Sequence, residues 1–417
     1  LDLHDLARRM TAAALAAVDP ERLAREELAQ RRERFGAGVA MGKAAAALAR
    51  GAREALEPAA PRLLIRPHSA PGLLDPGWEQ KTGGHPLPDR QSVAAGERLE
   101  RWLAGIPPRP LLALISGGAS ACIEAPAPDL TLEDLVATQR ALLASGLPIQ
   151  QVNAVRKHLS RLKGGGGLRA TGGRLPRVLA LLLSDVPGDD PAAIASGPFA
   201  ADPTTYGEAL AAVEGLAVPD AVRRHLAAGA RGERPETLKA APPEVETVLL
   251  GSVRTAMAAA LSVARRQGFR AVEGELTGEA VRAGRDLVER GRALEGAGIA
   301  LVLGGETTVT LRGEMGSGGR NQELALAAAR ELAGGAGELV FTLATDGEDG
   351  PTRSAGGTVD GDTWGVIRRA GIDPEAALAR HDSRPALAAV PGALLETGPT
   401  GTNAGDLAVY LRAPARS

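Results

Sequence analysis

Aromatic side chains are nearly absent from this chain. Phe, Trp and Tyr make up 2% of its 417 residues, although 44% are apolar. A core must therefore be built from Leu, Ala and Val, and the length suits two domains better than one. Cysteine is scarcer still. The single Cys122 excludes an internal disulfide framework and fits a reducing compartment. Excess charge of either sign is also missing: 48 basic and 50 acidic residues give a formal net charge of -2. Nothing here supplies the basic surplus that neutralises nucleic-acid phosphates. No run reaches the roughly 18 apolar residues of a membrane helix. The opening LDLHDLARRMTAAALAAVDP is broken by charge, unlike a secretory signal, and its Leu3, Leu6, Met10 and Leu15 follow a helical spacing. A soluble, cytoplasmic protein with neither nucleic-acid nor membrane partners is expected.

Lysine and asparagine are rare in a different way. Only five of the 48 basic residues are lysines, and there are three asparagines, Asn153, Asn321 and Asn403. Depletion of thermolabile Asn beside many Arg and Pro suggests a thermophile, although GC-rich coding also favours Arg, Ala and Gly. Where Lys and Asn persist, their side chains are candidates for positions that Arg cannot fill. Two lysines, Lys157 and Lys163, fall in one stretch, VRKHLSRLKGGGG. Read as a helix stopped by glycine, it places Lys163 in the last turn as a charge suited to the helix dipole, and leaves Lys157 as the better functional candidate.

Buried strands alternate with helices. Residues 1–34 read as one or two helices, with a break at Asp19-Pro20. FGAGVAMGKAAAALARGARE reads as strand, turn and helix, and PLLALISGG and RVLALLLSDVPGDD as continuous apolar strands. TLEDLVATQRALLASG is a capped helix, with Thr131 and Asp134 spaced as a capping box and Gly146 at its end. Such alternation implies an α/β fold with a mostly parallel sheet covered on both faces. The Ala-, Pro- and Arg-rich stretch 200–245 marks a boundary between domains 1–237 and 245–417.

Polar-glycine clusters fall at strand ends, where doubly wound sheets bind ligands. They are MGK (41–43), SGGAS (116–120), SDVPGDD (184–190), GGET (304–307), TDGEDG (345–350) and GTNAGD (401–406). SGGAS, with Ser116, Gly117, Gly118 and Ser120, can offer backbone N–H groups to a phosphate at a helix start. Neither GxxxxGK[ST] nor GxGxxG occurs, which counts against a P-loop or a standard dinucleotide site. Lys43 stands where a helix begins and needs an anionic partner there. Arg320 in GSGGRNQE can grip a carboxylate or phosphate bidentately. The strand-end acids include Asp185, Asp189, Asp190, Glu306, Asp346, Glu348, Asp349 and Asp406, suited to Mg²⁺ or to general-base work. Glu348 and Asp190 read as turn chemistry. No histidine pair has metal-ligand spacing. His85 reads as a loop residue.

Taken together, MGKAAAALA, LISGGASAC, NAVRKHLSRLKGGG, LLLSDVPGDDPAAIASGPFAADPTT, GGETTVTLRGEMGSGGRNQEL, ATDGEDGPTRSAGG and GPTGTNAGDL resemble the glycerate 2-kinase, or MOFRL, family, in order and over almost the whole chain. Some members have been labelled hydroxypyruvate reductases. Family turns commonly carry glycines where Met41 and Ala119 stand here. The resemblance implies a larger Rossmann-like α/β/α domain with a mostly parallel sheet, a smaller α/β domain, and an active site in the cleft between them. It implies phosphorylation of D-glycerate by ATP to 2-phosphoglycerate, with Mg²⁺ bridging phosphate oxygens and few protein ligands to it. Lys43, Arg320 and Asp185 would be catalytic. Lys43, Arg320, Asn403 and Asp346 would contact substrate. Ser116, Gly117, Gly118, Ser120, Lys157, Ser184, Asp189, Gly304, Gly305 and Glu306 would bind the nucleotide. The oligomeric state stays open, a homodimer included. The alternatives are an NAD(P)H-dependent hydroxypyruvate reductase and a non-catalytic sugar-acid-binding protein.

Overall fold

A computed structural model describes residues 2–311 and 316–414. Residues 312–315, inside the GGETTVTLRGEMGSGGRNQEL motif, lie outside the described residues. The chain divides into two compact units. One is Pro20–Leu250; the other joins the residues up to Asp19 to those from Gly251 onward.

The first unit is built on β1 (Ala37–Met41), β2 (Arg62–Pro67), β3 (Glu79–Gly83), β4 (Leu111–Ser116), β5 (Val178–Leu183) and β6 (Val245–Gly251), in the spatial order β3-β2-β1-β4-β5-β6. The pairings of β1 with β2 and β4, of β2 with β3 and of β4 with β5 are parallel. β1, β4 and β5 are buried throughout. The reason is that both sheet faces are covered: Val39, Met41, Ile65 and Ile115 enter one core, while Ala40, Leu64, Leu114 and Leu181 enter another. Helices Leu132–Ser145, Ile149–His158, Tyr206–Ala212 and Asp220–Ala230 form a further apolar cluster. The capping box at Thr131 and Asp134 and the left-handed Gly146 end the first of these helices as expected.

The second unit contains β7 (Arg270–Leu276), β8 (Ile299–Gly305), β9 (Glu338–Ala344), β10 (Gly356–Asp360), β11 (Leu394–Leu395) and β12 (Asp406–Arg412), ordered β11-β10-β9-β12-β8-β7. Only β7 and β8 run parallel; the other pairings are antiparallel. This sheet also has two apolar faces, with Leu301, Leu303 and Tyr410 on one and Val302, Phe341 and Val409 on the other.

Three sequence expectations change. Helix Leu3–Ala17 packs on helix Val253–Arg266 and shares its core with Phe341 and Val409, so the first residues join the second unit and not domain 1–237. Its buried stripe of Leu3, Leu6, Met10 and Ala14 needs an apolar face, and that sheet supplies one. The strand at 245–251 extends the first sheet beside β5, which moves the boundary to 250/251. The helix read through Lys163 ends at His158. Ser160 instead bridges to Pro126, and Arg161 N donates to Ala125 O at 2.8 Å.

Met10 is fully buried among these residues. Met10→Ala should destabilise the second unit by about 2–4 kcal/mol. Denaturant unfolding read from probes placed separately in each unit should show the loss there, with the first unit's transition unmoved.

Candidate active site

Parallel pairing brings the carboxyl ends of β1 to β5 to one edge of the first sheet. Lys43, His85, the 116–120 turn and Ser184-Asp185 all follow those ends. Two of the turns are locked together. The Ser116 hydroxyl donates to Met41 O at 3.3 Å and accepts from Ala44 N at 3.0 Å, while Lys43 N donates to Gly117 O at 2.8 Å. Gly42 has φ +105°, and a Cβ there would collide with Ser116 O and Oγ. Gly118 has φ +83°, and a Cβ on it would lie 3.0 Å from Lys43 Cγ and 3.5 Å from His85 Cδ2. The Lys43 stem and the His85 ring thus close over a position that only glycine leaves open.

Gly118 precedes only one helical turn, Ala119–Cys122. The expectation of a helix dipole at SGGAS is therefore corrected: so short a helix has little aligned dipole to offer. Anion binding here falls to the turn's own N–H groups and to nearby side chains. Ser120 Oγ lies 3.0 Å from Ser196 Oγ, which donates to Asn153 Oδ1 at 3.4 Å. Ala195, Ser196 and Gly197 have φ of 54°, 57° and 63°. Two non-glycine residues in the left-handed region store strain of the kind found at functional sites. Ser184 is buried, and its Oγ is 3.2 Å from both Val186 N and O. Asp189 also has a positive φ, and Asp190 caps the following turn through Ala192 N at 2.9 Å.

The two lysines are both buried, and each meets a carboxylate. Lys157 Nζ is 3.0 Å from Asp202 Oδ1, and Lys163 pairs with Glu124. Lys163 is therefore not a helix-capping charge. Asp202 also accepts from Thr204 and Thr237 hydroxyls. Burial works to raise the Asp202 pKa, but Lys157 and the hydroxyls hold it below the ordinary value. Burial lowers the Lys163 pKa against the opposing pull of Glu124. Cys122, beside them, is buried and pushed up to about 12, so it is an inert thiol.

In the second unit, register sets Asp406 of β12 opposite both Gly305 and Ala344. That edge therefore gathers Gly304, Gly305, Glu306, Thr345, Asp346 and Asp406. Arg320 opens helix Arg320–Leu332 and divides its guanidinium between two acids: Nε donates to Asp406 Oδ2 at 2.5 Å, and Nη1 lies 2.5 Å from Glu306 Oε1. Burial opposes its charge, but the carboxylates outweigh this and raise its pKa. Asp349 accepts from Asn321 N at 3.0 Å and Gln322 N at 2.8 Å, so it caps this helix from outside. Burial pushes Asp349 up to about 6, and the charge of Asp406 adds to the shift. Asn403 is buried in the loop where Thr345 Oγ1 accepts from Ala404 N and donates to Gly405 O. Asp346 Oδ1 accepts from Glu348 N at 3.1 Å. No group of three or more His, Cys, Asp or Glu suited to a metal occurs among the described residues.

The chain is similar to proteins of known family. Residues 6–227 match a domain of unknown function, DUF4147, and residues 299–406 match the MOFRL family. A glycerate 2-kinase of Pyrococcus horikoshii is 40% identical over 395 residues, covering 89% of this chain and 86% of that protein. A D-glycerate 2-kinase of Thermotoga maritima is 38% identical over 424 residues, covering 98% of each. The crystal structure of a glycerate kinase from Thermotoga maritima matches with a TM-score of 0.84 at 37% identity, over 99% of both chains. The chain belongs to the glycerate 2-kinase family.

Within that family frame, several residues at these edges escaped the sequence reading. Asp349 and Asp406 were named among the strand-end acids, but their roles in capping helix Arg320–Leu332 and in aiming Arg320 were not. Ser196, Asp202 and Glu124 carried no signal of their own. Asn153 did, through its rarity.

Two measurements follow. Lys157→Met should destabilise the first unit by about 3–5 kcal/mol, because it strands the buried Asp202 charge. Adding Asp202→Asn should restore most of the loss in chemical denaturation, whereas a direct nucleotide role would leave stability unchanged. For Asp349, the folded pKa of about 6 exceeds the ordinary 3.8, so in between the folded state holds a proton that the unfolded chain has lost. Its contribution to stability must fall as pH rises through that window. Unfolding midpoints measured across it should decline less in Asp349→Asn than in the parent.

Proposed function

We propose that the protein transfers the γ-phosphoryl group of ATP to the 2-hydroxyl of D-glycerate, giving 2-phosphoglycerate. The observation that carries this reading is that Lys43 and Arg320 each stand at the strand edge of their own unit, anchored by backbone or carboxylate contacts. The names of the full-length relatives supply the substrate. Glycerate is a small anion and ATP a larger one. Joining them demands fixed positive charge and in-line positioning more than covalent chemistry.

Lys43 and Arg320 hold the glycerate carboxylate or the transferring phosphoryl group. At Arg320 the exposed Glu306 carboxylate is the partner that an incoming oxyanion can replace, while buried Asp406 keeps the guanidinium aimed. Asp185, or in second place Asp346, orients or deprotonates the attacking hydroxyl. Asn403 and Asp346 contact the substrate. Ser116, Gly117, Gly118, Ser120, Ser184, Asp189, Gly304, Gly305 and Glu306 serve the nucleotide. Lys157 acts on that set through Asp202 and helix Ile149–His158. Strand-end carboxylates such as Asp185 and Asp346 are of the type that would hold Mg²⁺ through water. Its chemistry there would be to neutralise phosphate charge. The reaction is placed in the cytoplasm.

The test is a coupled assay with Mg²⁺, ATP and D-glycerate. ADP should appear, and enolase alone should accept the product. A product that needs phosphoglycerate mutase first would move the phosphate to position 3. Oxidation of NADH by hydroxypyruvate in place of ADP release would favour a reductase. Lys43→Ala and Arg320→Ala should each lower kcat/KM by about 10²–10⁴-fold with unchanged circular dichroism. Near-parental turnover in either variant would remove that residue from the chemistry.

A further inference from the structure

Three of the four residues before Arg320 are glycines, Gly316, Gly318 and Gly319, with Ser317 among them. Glycine loses more backbone freedom on ordering than any other residue, so such an approach takes a fixed path only when something outside holds it. Residues 380–384 of the same unit do so. Gly316 N donates to Arg380 O at 2.9 Å, and Ser317 N donates to Asp382 Oδ1 at 2.7 Å. Arg384 N donates back to Ser317 O at 2.9 Å.

The glycines are what let these segments meet. A Cβ on Gly316 would collide with the Asp382 side chain, and one on Gly318 with Ser383 Oγ. A second segment closes on the same residues: a Cβ on Gly319 would strike Asp349, and one on Gly350 would come within 2.8 Å of Gly318 O. The approach to Arg320 is thus gripped by residues 380–384 and by residues 349–350.

His381 extends the grip one turn further. Its Nδ1 lies 3.0 Å from Glu323 Oε2, in the first turn of helix Arg320–Leu332. Burial raises the Glu323 pKa, and His381 opposes that shift. His381 has φ 53°, a left-handed backbone that a non-glycine residue keeps only where its surroundings fix it. Asp349 caps the helix start and Asp406 aims the guanidinium. The 380–384 turn acts on the chain that delivers Arg320 to them.

We propose that the 380–384 turn is the positioning element for Arg320, with Asp382 its hold on the glycine approach and His381 its hold on the first helical turn. Both are positioning residues that act through Arg320. A carboxylate that accepts a backbone N–H makes one of the stronger hydrogen bonds, and here it sets a path. The proposal rests on the kinase reading for what Arg320 does, while the ordering of residues 316–319 is read without it.

The test uses the full-length protein with Asp382→Ala, with Asp382→Asn, which keeps an oxygen acceptor, and with His381→Asn, which tolerates the left-handed backbone. Amide hydrogen exchange is read over residues 316–323, and kcat/KM for D-glycerate is measured with and without Arg320→Ala. In Asp382→Ala, exchange at Gly316 and Ser317 should quicken about tenfold or more, with the unfolding midpoint unchanged. Its kcat/KM should fall about 10–100-fold. Asp382→Asn should recover both to within about threefold of the parent. His381→Asn should quicken exchange at residues 320–323 and lower kcat/KM as well. Combined with Arg320→Ala, neither Asp382→Ala nor His381→Asn should lower turnover further, because the residue they position is gone. An additive loss would make the turn merely structural and overturn the proposal, as would parental exchange and parental turnover in Asp382→Ala. If the parent turns over no D-glycerate, the kinase reading fails instead. Exchange at the parental rate in Asp382→Ala then overturns the hold on its own, and faster exchange supports it.

Discussion

The functional edge of the first sheet depends on the hydroxyl of Ser116. It ties the turn after β4 to the turn after β1 by donating to Met41 O and accepting from Ala44 N. Two backbones approach so closely there that Gly42 has no room for a side chain. The reward for that closeness is a lysine whose position is set by backbone. Lys43 N is bonded to Gly117 O, and its stem rests on Gly118. In the second unit a carboxylate does the comparable work. Asp406, buried at the start of β12, aims Arg320 at the same edge as Gly305 and Asp346. One unit thus places its cation by steric exclusion and the other by charge.

The scarcity of lysine has a physical explanation in this structure. Lys157 and Lys163 each meet one carboxylate in a nearly dry setting. An ammonium is a compact point charge that satisfies such a carboxylate. A guanidinium would bring five donors in a rigid fork, most of them with nothing to bond. Arginine dominates the exposed pairs instead, such as Arg231–Glu233 and Arg22–Glu26, where water serves the spare donors. Such buried pairs add little net stability, but they penalise any arrangement that separates them.

Much of the architecture was legible from local chemistry. The unbroken apolar runs at 111–116 and 178–183 announced strands buried on both faces. Thr131, Asp134 and Gly146 announced both ends of one helix, and the Leu3, Leu6, Met10 spacing announced another. What failed was decided at long range. Residues 159–163 continue a helical pattern, yet backbone pairing with Ala125 and Pro126 pulls them out of it. An apolar strand such as Val409–Leu411 reads the same in either direction, so periodicity could not reveal that β12 runs against β8 and β9. At the site, Lys43 and Asn153 stood out by rarity and Arg320 by its glycine setting. Asp349 and Asp406 stood among the strand-end acids, but their hold on the Arg320 helix did not show, because Asp beside Gly is also ordinary turn chemistry.

The split second unit sets an order of events during synthesis. Helix Leu3–Ala17 leaves the ribosome before any of the sheet that will bury Leu6 and Met10 exists. The first unit, Pro20–Leu250, is contiguous and can close as soon as β6 emerges. Until the strands beyond Gly251 follow, an amphipathic helix waits with its apolar stripe uncovered. The nascent chain therefore presents a transient sticky stripe on helix Leu3–Ala17, and β12, made after the other strands of that sheet, completes the face that silences it.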